Sequence, residues 1–246
     1  MVDDTRRTAV ATFYAPGSWP DRVVLDEGAS HHASVKRLAV GDPVRLTSGD
    51  GRRAHGTIAV LSKHRLEVDC YHASLELVPT LPHVALWAPV GDRERMLMLA
   101  EKAVELGVSS WRTMQYRRSR SVAPRGEGSA FREKLHARMI AALEQSGGAW
   151  LPTIEPESSS LDAISKGIHG HAILLDAFGA PIVDVLAEAH EPVIIACGPE
   201  GGLEPVERDA FDDAGWRAAS LGPNVLRFET AGIAGLTLAR ALLRST

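Results

Sequence analysis

At 246 residues, with 45% hydrophobic and 24% charged side chains, the chain has the composition of an ordinary globular protein with room for one large domain or two modest ones. Its net charge of -4 and pI of about 6.2 exclude attachment to nucleic acid through bulk positive charge, but leave room for a local basic patch. No apolar run approaches the roughly 20 residues that cross a bilayer, and the start "MVDDTRRTAVATFYAPG" has no secretory h-region. The two cysteines, Cys70 and Cys197, lie in separate apolar runs without zinc or CxxC spacing, so a reducing cytoplasm is expected.

The first part reads as β. "RVVLD", "PVRLTSG", "AHGTIAVL" and "HRLEVDCYHA" are short runs with partial period-two alternation, separated by "VGDP" and "SGDGRR". Closely spaced short strands suggest a small barrel or sandwich. "PTLPH" is stiffened by two prolines and marks a linker, so residues 1–78 and 79–246 are expected as separate domains. Beyond it the period changes. "VALWAP" is strand-like, and "GDRERMLMLAEKAVELG" is a helix with Asp92 as N-cap, Gly107 past its end, and an apolar stripe at Met96, Leu99, Ala100, Ala103 and Leu106. "SSWRTMQ", "HAILLDA", "PVIIACG" and "WRAASLG" read as strands. "SAFREKLHARMIAALEQSG", "PVERDAFDDAG" and "ETAGIAGLTLARALLRS" read as helices. Strands alternating with helices predict an α/β domain with a parallel sheet.

In such sheets ligands bind at the carboxyl ends of the strands. Two glycine loops fall there, "CGPEGG" after "PVIIA" and "LGPNVLRFET" after "WRAAS". Neither is GxGxxG or a P-loop, and there is no HExxH or nucleophile elbow. His31 and His32 are adjacent, so they point apart, and no third ligand is spaced for a metal. "YRRSRSVAPRGEGSAFREK" gathers Arg117, Arg118, Arg120, Arg125 and Arg132 with few acids, a loop suited to phosphates or simply to solvent.

These residues carry a resemblance. "GPEGGLEPVE…LGPNVLRFETA" resembles the C-terminal signature of the RsmE family, 16S rRNA uridine-N3 methyltransferases of the knotted SPOUT superfamily. "EKAVELGV", the Arg118–Ser119 pair and "EQSG" (Glu144 to Gly147) match further blocks. Near the start, "HHASVKRLAVGD" with "GDG" matches through His32, Arg37, Gly41, Asp50 and Gly51. The chain departs from the family pattern at Gly148 and Asn224, where arginine is usual, at Phe228, where threonine is usual, and at Glu204, where serine is frequent.

The resemblance implies an N-terminal PUA-like β-barrel that binds RNA and a C-terminal SPOUT methyltransferase domain with a trefoil knot. It also implies a homodimer, S-adenosylmethionine as cofactor, and 16S rRNA or the small ribosomal subunit as partner, with neither membrane nor metal. Cofactor contacts are then expected at Leu175, Gly198, Glu200, Gly201, Gly202, Leu221, Gly222 and Leu226, with Leu175 and Leu226 about the adenine. On this reading Gly201→Val abolishes cofactor binding. RNA contacts are expected at His32, Arg37, Arg117, Arg118 and Arg120. Uridine N3 must lose a weakly acidic proton, so the site needs a base or an anion stabiliser. Arg227 suits the second role because a guanidinium bonds carbonyl oxygens in fixed geometry. Glu229 either accepts the proton or holds Arg227 and the last helix. A different RNA target, or an RNA-binding assembly factor with weak catalysis, are the alternatives.

Overall fold

The computed structural model describes residues 9–119, 125–167 and 169–243, which form two compact units. One comprises the described residues up to Thr80 together with Ile140–Leu151; the other comprises Leu81–Met139 and the residues from Pro152 onward.

The first unit holds β1 (Thr12–Tyr14), β2 (Arg22–Leu25), α1 (Glu27–Val35), β3 (Pro43–Thr47), β4 (Arg52–Leu61), β5 (Leu66–Cys70) and β6 (Glu76–Leu77). Its sheet runs β1-β3-β4-β5-β2 with β6 on β4. β1 is parallel to β3, and the other pairings are antiparallel. Period-two alternation turns Val44, Leu46, Ala54 and Ile58 inward onto Phe13, Leu66 and Val68. At Gly56 a β-carbon would meet Val68 Cγ1 at 2.5 Å and Asp69 O at 2.6 Å, so β4 and β5 pair there only around a glycine. Helix α1 has no counterpart in the apolar pattern, because it buries only Ser30 and Ala33. Its start is set by Asp26, whose carboxylate accepts from Ala29 N at 3.1 Å.

The second unit is the α/β part. In chain order it holds β7 (Val84–Pro89), α2 (Arg93–Glu105), β8 (Ser110–Gln115) and α3 (Gly128–Ser146), the last of which ends in the segment grouped with the first unit. β9 (Thr153–Ile154), β10 (Ser158–Ser159), α4 (Ser160–Ser165), β11 (His171–Pro181), α5 (Ile182–Ala187), β12 (Val193–Cys197), α6 (Pro205–Asp213), β13 (Arg217–Ser220) and α7 (Phe228–Leu242) follow. The sheet is parallel throughout, in the order β10-β8-β7-β12-β11-β13, with β9 on β8. Both faces are covered, which is why β7 and β12 read as unbroken apolar runs. Ala196 joins Trp87, Met114, Leu174, Phe211 and Trp216 on one face. Cys197 and Ile195 face α7 on the other, where β-carbons at Gly232 and Gly235 would stand 2.8 Å from Leu99 and 3.1 Å from Leu175. The small residues of α7 therefore let it lie directly on the sheet.

Helix α2 follows the expected pattern. Asp92 accepts from Arg95 N at 3.0 Å, Gly107 takes φ +72°, and Met96, Leu99, Ala100 and Ala103 are fully buried. β11 is longer than its apolar run: it continues past Asp176 to Pro181 by shifting register against β13. Gly179 makes that pairing feasible, since a β-carbon would stand 2.4 Å from the Ala218–Ala219 backbone. Among the described residues no helix is long and apolar enough to cross a membrane.

Candidate active site

Two adjoining clefts open where the parallel strands of the second unit end. The first, about 270 Å³, lies beyond β11, β12 and β13. Leu175 lines it at the end of the apolar part of β11; Gly198, Glu200 and Gly202 line it from the loop after β12; Leu221, Gly222, Leu226 and Arg227 line it from the loop after β13. Gly202 at φ +70° and Gly222 at φ +140° occupy backbone conformations that side chains resist, and open space lies where their β-carbons would stand. The walls are leucines, the edges are peptide groups, and Glu200 sets a carboxylate at the rim. Such a cleft suits a ligand with a flat apolar ring, hydroxyls for the carboxylate and polar edges for the backbone.

Gly201 faces elsewhere. A β-carbon there would lie 3.1 Å from both Cβ and O of Arg118, and the residue lines the second cleft, about 630 Å³. Val90, Gly91, Arg118, Ser119 and Glu204 also line this cleft, which shares Pro199, Glu200 and Phe228 with the first. The expected substitution Gly201→Val thus meets the Arg118 segment before it meets a cofactor. Glu207, the third residue of α6, locks this region: it is fully buried and accepts from Glu204 N at 3.0 Å, Arg117 N at 2.9 Å and Ser160 Oγ at 2.5 Å. Arg120 lies outside the described residues.

Arg227 is the N-cap residue of α7 by backbone alone; its side chain makes no capping bond, is exposed, and pairs with no carboxylate among the described residues. Glu229, two residues on, is buried and lines neither cleft. Its Oε1 lies 3.9 Å from Arg95 Nε, and its Oε2 has no hydrogen-bond partner among the described residues. Arg95 also pairs with Glu200, tying the first turn of α2 to the loop after β12. Sequence reasoning missed Arg95. Its partners are 105 and 134 positions away, and nothing local distinguishes it from the neighbouring Arg93.

In the first unit, His32 Nδ1 lies 2.9 Å from Glu144 Oε2, while Glu144 Oε1 accepts from Tyr14 N at 2.8 Å. The two matched blocks "HHASVKR" and "EQSG" therefore meet through this pair. Gly51 is explained by Trp150, whose ring would lie 2.4 Å from a β-carbon there. Arg52 is held by Asp50 at 2.7 Å and Arg53 by Glu76 at 3.0 Å, but Lys36 and Arg37 are exposed. Arg37 takes φ +57°, the left-handed conformation ending α1. Among the described residues no three His, Cys, Asp or Glu side chains converge to hold a metal.

Both thiols are buried. Burial, followed by the charge of Glu229, pushes the Cys197 thiol up to about 12, and burial raises that of Cys70. With the thiolate suppressed, neither is a nucleophile near neutral pH. The native protein is expected to leave a thiol-titrating disulfide reagent unreacted at pH 8 and to release both equivalents on denaturation; rapid reaction of native Cys197 would contradict its assignment to the core.

Residues 79–240 match the family model of an RNA methyltransferase domain, and residues 25–69 match that of an RNA methyltransferase PUA domain. The chain is 29% identical over 220 residues to ribosomal RNA small subunit methyltransferase E of Mycobacterium bovis, covering 86% of this chain and 82% of that protein. The crystal structure of the Neisseria gonorrhoeae protein of that name, bound to S-adenosyl methionine, superposes with a TM-score of 0.82 at 24% identity, covering 95% of this chain and 98% of the other. A Legionella pneumophila methyltransferase with bound SAM superposes with a TM-score of 0.81 at 25% identity, covering 94% and 96%.

Proposed function

The chain belongs to the RsmE family of RNA methyltransferases and is an S-adenosylmethionine-dependent methyltransferase of small-subunit ribosomal RNA, and from that premise we propose that it methylates N3 of a uridine in 16S rRNA. The observation that carries this reading is an uncommitted guanidinium, Arg227, on the edge of a glycine-lined cleft where three parallel strands end.

The first cleft fits the cofactor. Leu175 and Leu226 offer apolar faces for the adenine, the open sides of Gly202 and Gly222 admit the ligand to the backbone, and Glu200 faces ribose hydroxyls. S-adenosylmethionine, when bound, supplies an electrophilic methyl group. The protein's own task is to present N3 without its proton, which passes to solvent water. Arg227 donates to the carbonyl oxygens beside N3 and stabilises the anion spread across them. Glu229 serves as a positioning group: buried beside Arg95, it helps fix the start of α7 and hence Arg227.

The knot belongs to this proposal. α7 packs against α2, α5, β7, β11 and β12, and its first turn, through Phe228 and Ala231, meets the loops that line the cofactor cleft. A homodimer does too: Phe178 is 95% and Val225 85% exposed beside the cleft, apolar surface suited to a second copy. The ribosomal substrate and unpaired thiols suit the cytoplasm.

Of the expected RNA contacts, Arg37, Arg117 and Arg118 are exposed, whereas His32 is committed to Glu144. Arg37 holds a conformation in which glycine would be easier. Arg37→Gly is expected to leave stability unchanged or raise it by up to about 1 kcal/mol, while weakening rRNA binding severalfold. Thermal melting and filter binding check the two halves; unchanged RNA affinity would remove Arg37 from the interface.

The deciding experiment supplies methyl-tritiated S-adenosylmethionine with 16S rRNA and, in parallel, with small subunits, then separates the digested nucleosides. Label in 3-methyluridine is expected. Label in a ribose 2′-O-methyl or a guanine would overturn the uridine assignment, and no transfer to either substrate would overturn the activity.

A further inference from the structure

We propose that the second cleft seats the acceptor nucleotide by a backbone phosphate on Arg117 and Arg118, and that Glu204 is a resident anion which this phosphate displaces. The inference rests on the reading of the chain as an RNA methyltransferase. The cleft shares Pro199, Glu200 and Phe228 with the cofactor cleft, so a base entering it comes to the partition between the two.

The two arginines are fixed at the backbone and loose at the head. Glu207 holds Arg117 N at 2.9 Å, Ser119 Oγ accepts from Tyr116 N at 3.1 Å, and Gly201 lets its loop close on Arg118. Their guanidinium groups reach Glu204 only at 3.8 Å for Arg117 and 3.7 Å for Arg118, beyond hydrogen-bond distance, and both side chains are about half exposed. The only hydrogen bond from either head among the described residues is a long one, Arg118 Nη1 to Gly201 O at 3.4 Å. Glu204 thus offsets part of the charge of two forks without using their donors, which suit the oxygens of a phosphate. Its carboxylate carries one charge, as a phosphodiester does, so the phosphate can take over its place beside the two arginines while Glu204 turns toward solvent. Glu204 is also where the resemblance makes serine frequent, a preferred N-cap residue that would start α6 and leave both arginines without this counterion.

The test measures binding of a 16S rRNA transcript through a salt titration, beside calorimetry with S-adenosylmethionine. Glu204→Gln is expected to tighten rRNA binding about threefold and to steepen the slope of log K against log salt by about one unit, because the released arginines gather counterions that RNA then expels. Arg118→Ala in the Glu204→Gln background is expected to erase both gains. Cofactor affinity should stay at the wild-type value in each variant. Unchanged affinity and slope would overturn the proposal, and weaker binding by Glu204→Gln would overturn it by making Glu204 itself an RNA contact. Failure of the methyltransferase reading shows separately, as absence of S-adenosylmethionine binding by the unmodified protein.

Discussion

Arg227→Ala is expected to lower turnover by about 10²–10³-fold, the loss typical when one preorganised donor to a developing anion is removed, while the dissociation constant for S-adenosylmethionine stays within about threefold of wild type. The structure separates these effects. Arg227 begins α7 through its carbonyl, which accepts from Ala231 N at 2.9 Å, so alanine keeps the helix start. The guanidinium has no internal ion pair to lose among the described residues and stands exposed on the cleft edge. A surface substitution of this kind changes stability by about 0.5 kcal/mol or less. Arg227→Lys should recover only part of the rate, because an ammonium keeps the charge and loses the planar fork. Without the guanidinium the uridine proton leaves at higher pH, so the residual rate should climb with pH beyond the range where the wild-type rate levels off. Wild-type turnover in Arg227→Ala would remove the residue from the chemistry. An equal fall in cofactor affinity would make it a cofactor ligand instead.

The second large effect is expected at Gly222. Gly222→Val places a β-branched residue at φ +140°, a conformation costing on the order of 2–3 kcal/mol for such side chains, and directs its methyl groups into open cleft space. Those methyl groups occupy space the ligand needs, and a loss of S-adenosylmethionine affinity of about 30–100-fold, about 2–3 kcal/mol at about 1.4 kcal/mol per tenfold, is expected from that steric conflict. No protein atom lies within 4 Å of the added β-carbon, so core packing is untouched and the backbone strain alone should lower the melting temperature by about 4–12 °C. Gly201→Ala is the matched control, three residues from Glu204 and on the other cleft. Its β-carbon presses on Arg118 at 3.1 Å, so its defect should appear in the KM for rRNA with cofactor affinity nearly unchanged. Equal losses of cofactor affinity in both variants would mean that the loops move as one body and that the division into two clefts carries no functional meaning.

The contrast between Gly222 and Gly201 shows what a sequence can carry about such a site. Both sit in loops recognisable from composition, because a strand of unbroken apolar residues followed by glycines marks the carboxyl end of a buried parallel strand. Helix α2 was legible from Asp92 to Gly107 for the same reason: caps and a 3.6-residue stripe are local properties. Helix α1 was not, since it buries little and its pattern has no apolar face to announce it. The extension of β11 past Asp176 was hidden by turn-forming residues that pair only because Gly179 admits the neighbouring strand.

The amino-acid sequence by itself determined the alternation of strands and helices, the positions of the glycine loops and, through its motifs, the family to which the chain belongs. Those follow from short-range periodicity and from backbone conformations that only certain residues adopt. Only the tertiary structure decided that Gly201 serves Arg118, that Arg95 bridges Glu200 and Glu229, and that buried Glu207 holds Arg117 in place. These partners are 83 to 134 residues apart. Their pairing depends on which strands become neighbours in the sheet, and no local spacing along the chain records that.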